Sequence, residues 1–180
     1  MDNNKRNEIL CYTQGVNITN FFVFEMIPPD KLNNAINSYA PIQSGEETVI
    51  FLYDDTMFGS AKDGFLLTTK RLYQKNMSEN GSFVGIDSIT DMKIKRGLPA
   101  KLSVCTDKGS LDIEITHITG KSMRSFFLNI LKKTLVTLEA SAFGTTSGAN
   151  TQSQQVVECQ GCGARYHCYK RRCDYCNSPL

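Results

Sequence analysis

Between Glu47 and Thr116 the chain breaks into seven short stretches divided by turn residues, and that segmentation limits the fold more than any other feature of the 180 residues. The stretches are 48–53 (TVIFLY), 64–69 (GFLLTT), 71–75 (RLYQK), 82–86 (SFVGI), 91–95 (DMKIK), 102–106 (LSVCT) and 111–116 (LDIEIT). All are short and rich in β-branched or aromatic residues, which suits a pleated, half-buried surface. Their separators are Asp54-Asp55, Asp63-Gly64, Asn80-Gly81, Gly97-Leu98-Pro99 and Asp107-Lys108-Gly109, residues that supply the positive or fixed φ a tight connection needs. Connections this short join antiparallel neighbours, so the expectation is a mainly β (α+β) fold, a meander curling into a sandwich or partly open barrel.

One helix should follow. Met123, Phe126, Phe127, Ile130, Leu131, Leu135 and Leu138 recur at three and four residues, with Arg124, Asn129, Lys132, Lys133 and Glu139 mostly on the other side. Thr119 or Ser122 can cap its start, and Gly144 lies beyond its end. Such a stripe could face a membrane surface or a partner. A helix directly after the last strand must bury those side chains somewhere, and closing one end of the strand barrel is the expected solution. Upstream, Leu32, Ile36 and Tyr39 fall at helical spacing in 30–39 and Pro41 stops the pattern, which predicts a short helix. The Phe21, Phe22, Val23, Phe24 cluster reads as core, either an edge strand or a docking helix.

The expected organisation is a 1–45 N-terminal extension with a short helix, a 46–140 strand domain, a 141–157 linker and a 158–180 cysteine-rich tail. The linker (SAFGTTSGANTQSQQVV) carries no charge and is mostly Ser, Thr, Gly, Asn and Gln, the composition of a flexible tether. No apolar run approaches the ~18 residues of a membrane span, and the first residues have no apolar core of the secretory type, so a cytoplasmic protein is expected.

Five of the seven cysteines fall in that tail. Cys159-Gln-Gly-Cys162-Gly163 and Cys173-Asp-Tyr-Cys176-Asn177 are two CxxC knuckles, each followed by a residue tolerant of the left-handed conformation. Four thiolates at ~2.3 Å satisfy the tetrahedral preference of zinc (Zn²⁺), and a tail of about 22 residues buries too little surface to fold without a metal. Cys159, Cys162, Cys173 and Cys176 are therefore the expected zinc ligands. His167 and Cys168 fall mid-loop, where either would break the symmetry of the pairs. A saturated four-sulfur shell leaves no position for water, so the zinc should be structural.

The tail also concentrates charge. Arg165, Lys170, Arg171 and Arg172 stand against Asp174 with Tyr166, Tyr169 and Tyr175 interleaved, a pattern that could contact nucleic-acid phosphates and bases or simply form a solvated loop docking on protein. The whole chain carries a formal net charge of only +2, so no molecule-wide polyanion coat is implied. No catalytic site is expected, because no GxSxG, HExxH, Walker or GxGxxG pattern is present. His117, in ITHIT, reads as a paired or solvent-facing histidine, Cys105 as a packed strand thiol, and Asp54, Asp55 and Asp63 as turn formers.

The stretch from Glu47 to Glu79 resembles the bacterial pleckstrin-homology-like domains. It carries Phe51, Asp54, Asp55, Thr56, Gly59, Ser60, Asp63, Gly64, Phe65, Thr68, Thr69, Lys70, Arg71 and Leu72, in the order strand, Asp-Asp-Thr turn, Asp-Gly-Phe strand start and Thr-x-Lys/Arg turn. The helix before it looks like the segment leading into such domains, several of which also carry a C-terminal zinc ribbon. The resemblance implies a PH-like seven-stranded antiparallel barrel capped by a C-terminal helix, a fold that hosts many unrelated binding roles. Phosphoinositide binding is not expected, since the connection from Asp54 to Asp63 holds three carboxylates and only Lys62. The functional expectation is a non-catalytic adaptor that recognises a protein or peptide partner through the PH-like domain, with the zinc ribbon as a second contact. The alternative is a nucleic-acid-binding accessory protein using the basic ribbon. Related domains include ring-forming oligomers, so the resemblance also leaves a homo-oligomer open.

Overall fold

The computed structural model describes residues 1–15, 17–42 and 45–139, together with the backbone of 157–158 and 165–166. The elements run α1 (Asn3–Thr13), β1 (Phe21–Val23), α2 (Pro29–Ser38), β2 (Val49–Asp54), β3 (Gly64–Thr68), β4 (Arg71–Lys75), β5 (Ser82–Gly85), β6 (Ile89–Lys95), β7 (Lys101–Thr106), β8 (Gly109–Glu114) and α3 (Lys121–Glu139). Two further strands, β9 (Val157–Glu158) and β10 (Arg165–Tyr166), pair with each other. The protein is mainly β, and each of the seven stretches anticipated between Glu47 and Thr116 is a strand.

The strands form two antiparallel sheets, one ordered β1-β2-β3-β4-β5 and the other β6-β7-β8. Here the structure corrects the expectation of a barrel, for no ladder joins the two sheets among the described residues. The reason is local: between β5 and β6 the chain turns through a single 3₁₀ turn, Ile86–Ser88, which carries β6 away from the edge of β5. The Phe21 cluster proves to be an edge strand, with Phe21 opposite Tyr53 and Val23 opposite Phe51.

The core lies between the sheets and α3. Phe51, Tyr53, Phe65, Leu67 and Leu72 meet Met92, Leu102, Val104 and Ile113 across it, and α3 inserts Phe127, Ile130, Leu131 and Leu135. Phe127 is the hub, its ring centroid 5.4 Å from Phe21, 6.1 Å from Tyr53 and 6.0 Å from Phe65. The helix thus buries the anticipated stripe from Phe127 to Leu138, whereas Met123 and Phe126 in its first turns stay exposed. The other face of the first sheet is covered as well, Leu52, Leu66 and Tyr73 packing with Ala35, Tyr39 and Ala40 at α2. A sheet buried on both faces explains why 49–53 and 64–67 are continuous apolar runs, whereas β6 alternates and leaves one face to water. α1 packs on α3, its Tyr12 hydroxyl 3.3 Å from Thr137 Oγ1 and its ring beneath the Lys133 ammonium at 5.2 Å. α1, β1 and α2 therefore all pack on the two-sheet domain.

Candidate functional site

The Asp-Asp-Thr turn after β2 is the most organised polar cluster of the described residues. Thr56 donates both its amide (3.0 Å) and its hydroxyl to Asp54 Oδ1, and the same hydroxyl oxygen accepts from the amides of Ser60 (2.7 Å) and Ala61 (3.3 Å). The other carboxylate oxygen, Asp54 Oδ2, accepts from Lys31 Nζ on α2 at 2.6 Å, and Lys31 also donates to the Gly59 carbonyl. Asn34 and Ser38, one turn and two turns further along α2, donate to the carbonyls of Ser60 (2.9 Å) and Lys62 (2.8 Å). One face of α2 thus holds the whole 55–63 connection. Burial alone would raise the Asp54 carboxyl, but the Lys31 ammonium and the Thr56 hydroxyl and amide outweigh it and hold the group below the usual carboxylate range.

Asp55 has a different fate. Its Oδ1 accepts from the Tyr53 hydroxyl (2.8 Å), the Thr116 amide (2.8 Å) and the Thr116 hydroxyl (2.6 Å), tying the connection to the segment after β8. No ammonium reaches it among the described residues. Burial raises its pKa, and the bonds from Thr116 and Tyr53 only partly offset this. His117 donates its amide to the Tyr53 hydroxyl at 3.1 Å and sets its Nε2 3.3 Å from the Thr56 carbonyl, so it is a paired histidine.

The Thr-x-Lys/Arg turn is equally structural. Thr68 Oγ1 accepts from the amides of Lys70 (3.1 Å) and Arg71 (2.9 Å) and donates to Glu47, which also takes the Arg71 guanidinium and the Tyr73 hydroxyl (3.0 Å). The motif residues behind the resemblance are therefore occupied in holding two hairpin connections. Lys31 and Glu47 were missed as their partners, because each lies more than twenty residues from its partner in the chain and no spacing rule reaches that far.

The three carboxylates of the 54–63 connection are matched from within the fold. Lys31 meets Asp54, Tyr53 and Thr116 satisfy Asp55, and Lys75 Nζ stands 3.3 Å from Asp63. Cys105 is a half-buried free thiol on β7. No group of three or more potential metal ligands occurs among the described residues.

Cys159, Cys162, Cys173, Cys176, His167, Cys168, Lys170, Arg171 and Arg172, as well as the 141–156 part of the expected linker, lie outside the described residues. Arg165 is described in its backbone alone. In the antiparallel β9–β10 pair Arg165 is opposite Glu158 and Tyr166 opposite Val157, so the chain connecting these strands is the one that contains Cys159 and Cys162.

Among the described residues no helix is long and apolar enough to cross a membrane. Comparison of the chain with protein-family models, curated proteins and solved structures finds no match.

Proposed function

We propose that this chain is a non-catalytic cytoplasmic adaptor, a PH-like domain that recognises a protein or peptide partner and carries a structural zinc ribbon as a second contact. The observation that supports it best is β6. This seven-residue strand pairs with β7 along one edge, and its other edge borders no strand among the described residues. α3 packs beside it, with Lys132 Nζ 2.7 Å from Asp91 Oδ1 across the junction. An edge strand next to a helix offers an extended peptide main-chain hydrogen bonds on one side and side-chain contacts on the other. The order of the elements, two antiparallel sheets followed by a packed C-terminal helix, agrees with the PH-like reading. For the ribbon, support comes from the β9–β10 pair, since a hairpin bracketing a CxxC is the usual frame of a zinc knuckle.

The test is affinity capture from nuclease-treated and untreated lysate, using the full chain and a version ending at Ala140. A discrete protein that survives nuclease and still binds the shorter chain upholds the adaptor. Capture that disappears with nuclease, or with Arg171 and Arg172 neutralised, would instead make the basic ribbon a nucleic-acid contact.

A further inference from the structure

Cys11 lies on α1, half-buried, and its sulfur is committed to a disulfide. Cys105, the other described cysteine, is a free thiol. Of the seven cysteines in the chain, that leaves Cys159, Cys162, Cys168, Cys173 and Cys176 to supply the partner. All five lie outside the described residues, so the choice among them rests on chemistry.

A sulfur bonded to another sulfur is no longer a thiolate, and a thiolate is what zinc binds. Four ligands fill the tetrahedral shell, and the two CxxC pairs provide them without Cys168. Cys168 is therefore the one tail cysteine that can bond to Cys11 while the ribbon keeps its metal. Lys170, Arg171 and Arg172 follow it closely in the chain, and positive charge near a cysteine favours the nucleophilic thiolate.

The fold holds Cys11 beside the place where the tail departs. Tyr12, the next residue, has its hydroxyl 3.3 Å from Thr137 Oγ1 and its ring beneath the Lys133 ammonium at 5.2 Å. Thr137 belongs to the last turn of α3, which ends at Glu139. Ile9, two residues before Cys11, is fully buried and fixes this part of α1 on the core. A coil of the linker's length spans about 20–25 Å, enough to return the ribbon to a helix that already touches the end of α3.

We propose that Cys11 and Cys168 form a reversible, oxidant-driven cross-link that pins the basic loop of the ribbon to α1 and releases it on reduction. The pairing rests on the zinc-ribbon reading, since it is the metal that withholds the other four sulfurs. In a reducing cytosol such a bond is transient and redox-sensing. The oxidant is a peroxide. The Cys168 thiolate attacks one peroxide oxygen, the O–O bond breaks, and the released hydroxide takes up a proton as water, leaving a sulfenic acid on Cys168. The Cys11 thiolate then attacks that sulfur, the S–O bond breaks, and the departing hydroxide is protonated to a second water. Two thiols are thus oxidised to one disulfide while one peroxide is reduced to two waters. A dithiol reverses the cross-link by thiol–disulfide exchange.

The experiment treats the zinc-loaded full chain with hydrogen peroxide, blocks remaining thiols with N-ethylmaleimide, and maps the unreduced peptides by mass spectrometry, with zinc content measured on the same samples. A peptide joining Cys11 to Cys168 is expected, with zinc undiminished. Dithiothreitol should abolish it, as should Cys11→Ser or Cys168→Ser, each checked for an unchanged thermal transition. Cys11 blocked by N-ethylmaleimide in the oxidised, zinc-bearing chain would overturn the proposal and leave the ribbon reading standing. A cross-link from Cys11 to Cys159, Cys162, Cys173 or Cys176 with loss of zinc would overturn both. The Cys11–Cys168 peptide in a chain that binds no zinc would uphold the cross-link and remove the ribbon reading.

Discussion

Lys31 on α2 donates to Asp54 at the end of β2 across 2.6 Å, and the Asp54 side chain is wholly shielded from water while Lys31 keeps a small exposed fraction. Removing one partner of such a pair leaves a charge without compensation. Lys31→Met should therefore lower stability by about 3 kcal/mol, and Lys31→Met/Asp54→Asn should recover part of it. The Asp54 carboxyl is depressed in the fold, so its contribution is present above the unfolded pKa and is lost as pH falls through the folded one. Urea denaturation at neutral and acidic pH checks both statements. The acid loss should shrink in Lys31→Met, and an unchanged acid limb would show that Asp54 is not its source.

Adjacent carboxylates here have opposite chemistry. All three donors to Asp55 converge on Oδ1, which an asparagine retains, while Asp54 uses both oxygens, and an amide there would turn a donor toward Lys31. Asp55→Asn should change stability by less than about 1 kcal/mol at neutral pH, and Asp54→Asn should cost about 2–3 kcal/mol. The Asp55 pKa is raised in the fold, so ionising it costs stability as pH rises through its folded pKa. Any gain from Asp55→Asn should accordingly be largest near neutrality and fade on acidification, which thermal melts at several pH values would show.

Gly64 separates steric clash from backbone strain. It sits at φ +126°, and a Cβ would lie 2.0 Å from the Tyr53 carbonyl oxygen. Gly109 sits at φ +140° with open space around it. Alanine at 109 should cost about 1–2 kcal/mol from strain, and alanine at 64 more than about 3 kcal/mol, because it also breaks the β2–β3 register. Denaturation midpoints of the two variants are the measurement, and equal costs would contradict the contact at Gly64.

The tail offers a prediction about metal. Zinc content by mass spectrometry should fall to background in Cys159→Ser, Cys162→Ser, Cys173→Ser and Cys176→Ser and persist in Cys168→Ser. Chelation should leave the unfolding of the two-sheet domain in place, since its core is built from residues 9–138. Loss of zinc in Cys168→Ser with retention in Cys173→Ser would reassign the ligand set.

The strands, their connections and α3 were legible because each depends on neighbours in sequence: period, turn residues and an apolar stripe. α1 was not. Ile9 is its one buried large apolar residue, and the helix it packs on, α3, lies more than a hundred residues away. The Phe21 cluster was ambiguous for a similar reason, since a three-residue strand is defined by its partner β2 and not by its own pattern.

The acidity of the 54–63 connection shows where local reading ends. Three carboxylates against one lysine was a correct count, yet the cations that answer Asp54 and Asp63 come from α2 and β4. By itself the sequence determined that the seven segments between Glu47 and Thr116 are extended, that α2 and α3 are helical, and that strands joined by tight turns within each sheet pair antiparallel, because those choices rest on local sterics and periodicity. Tertiary structure alone decided that the strands form two sheets and not a barrel, and which carboxylates are neutralised. Those outcomes depend on contacts between residues tens of positions apart, formed only when the core and its hydrogen bonds close together.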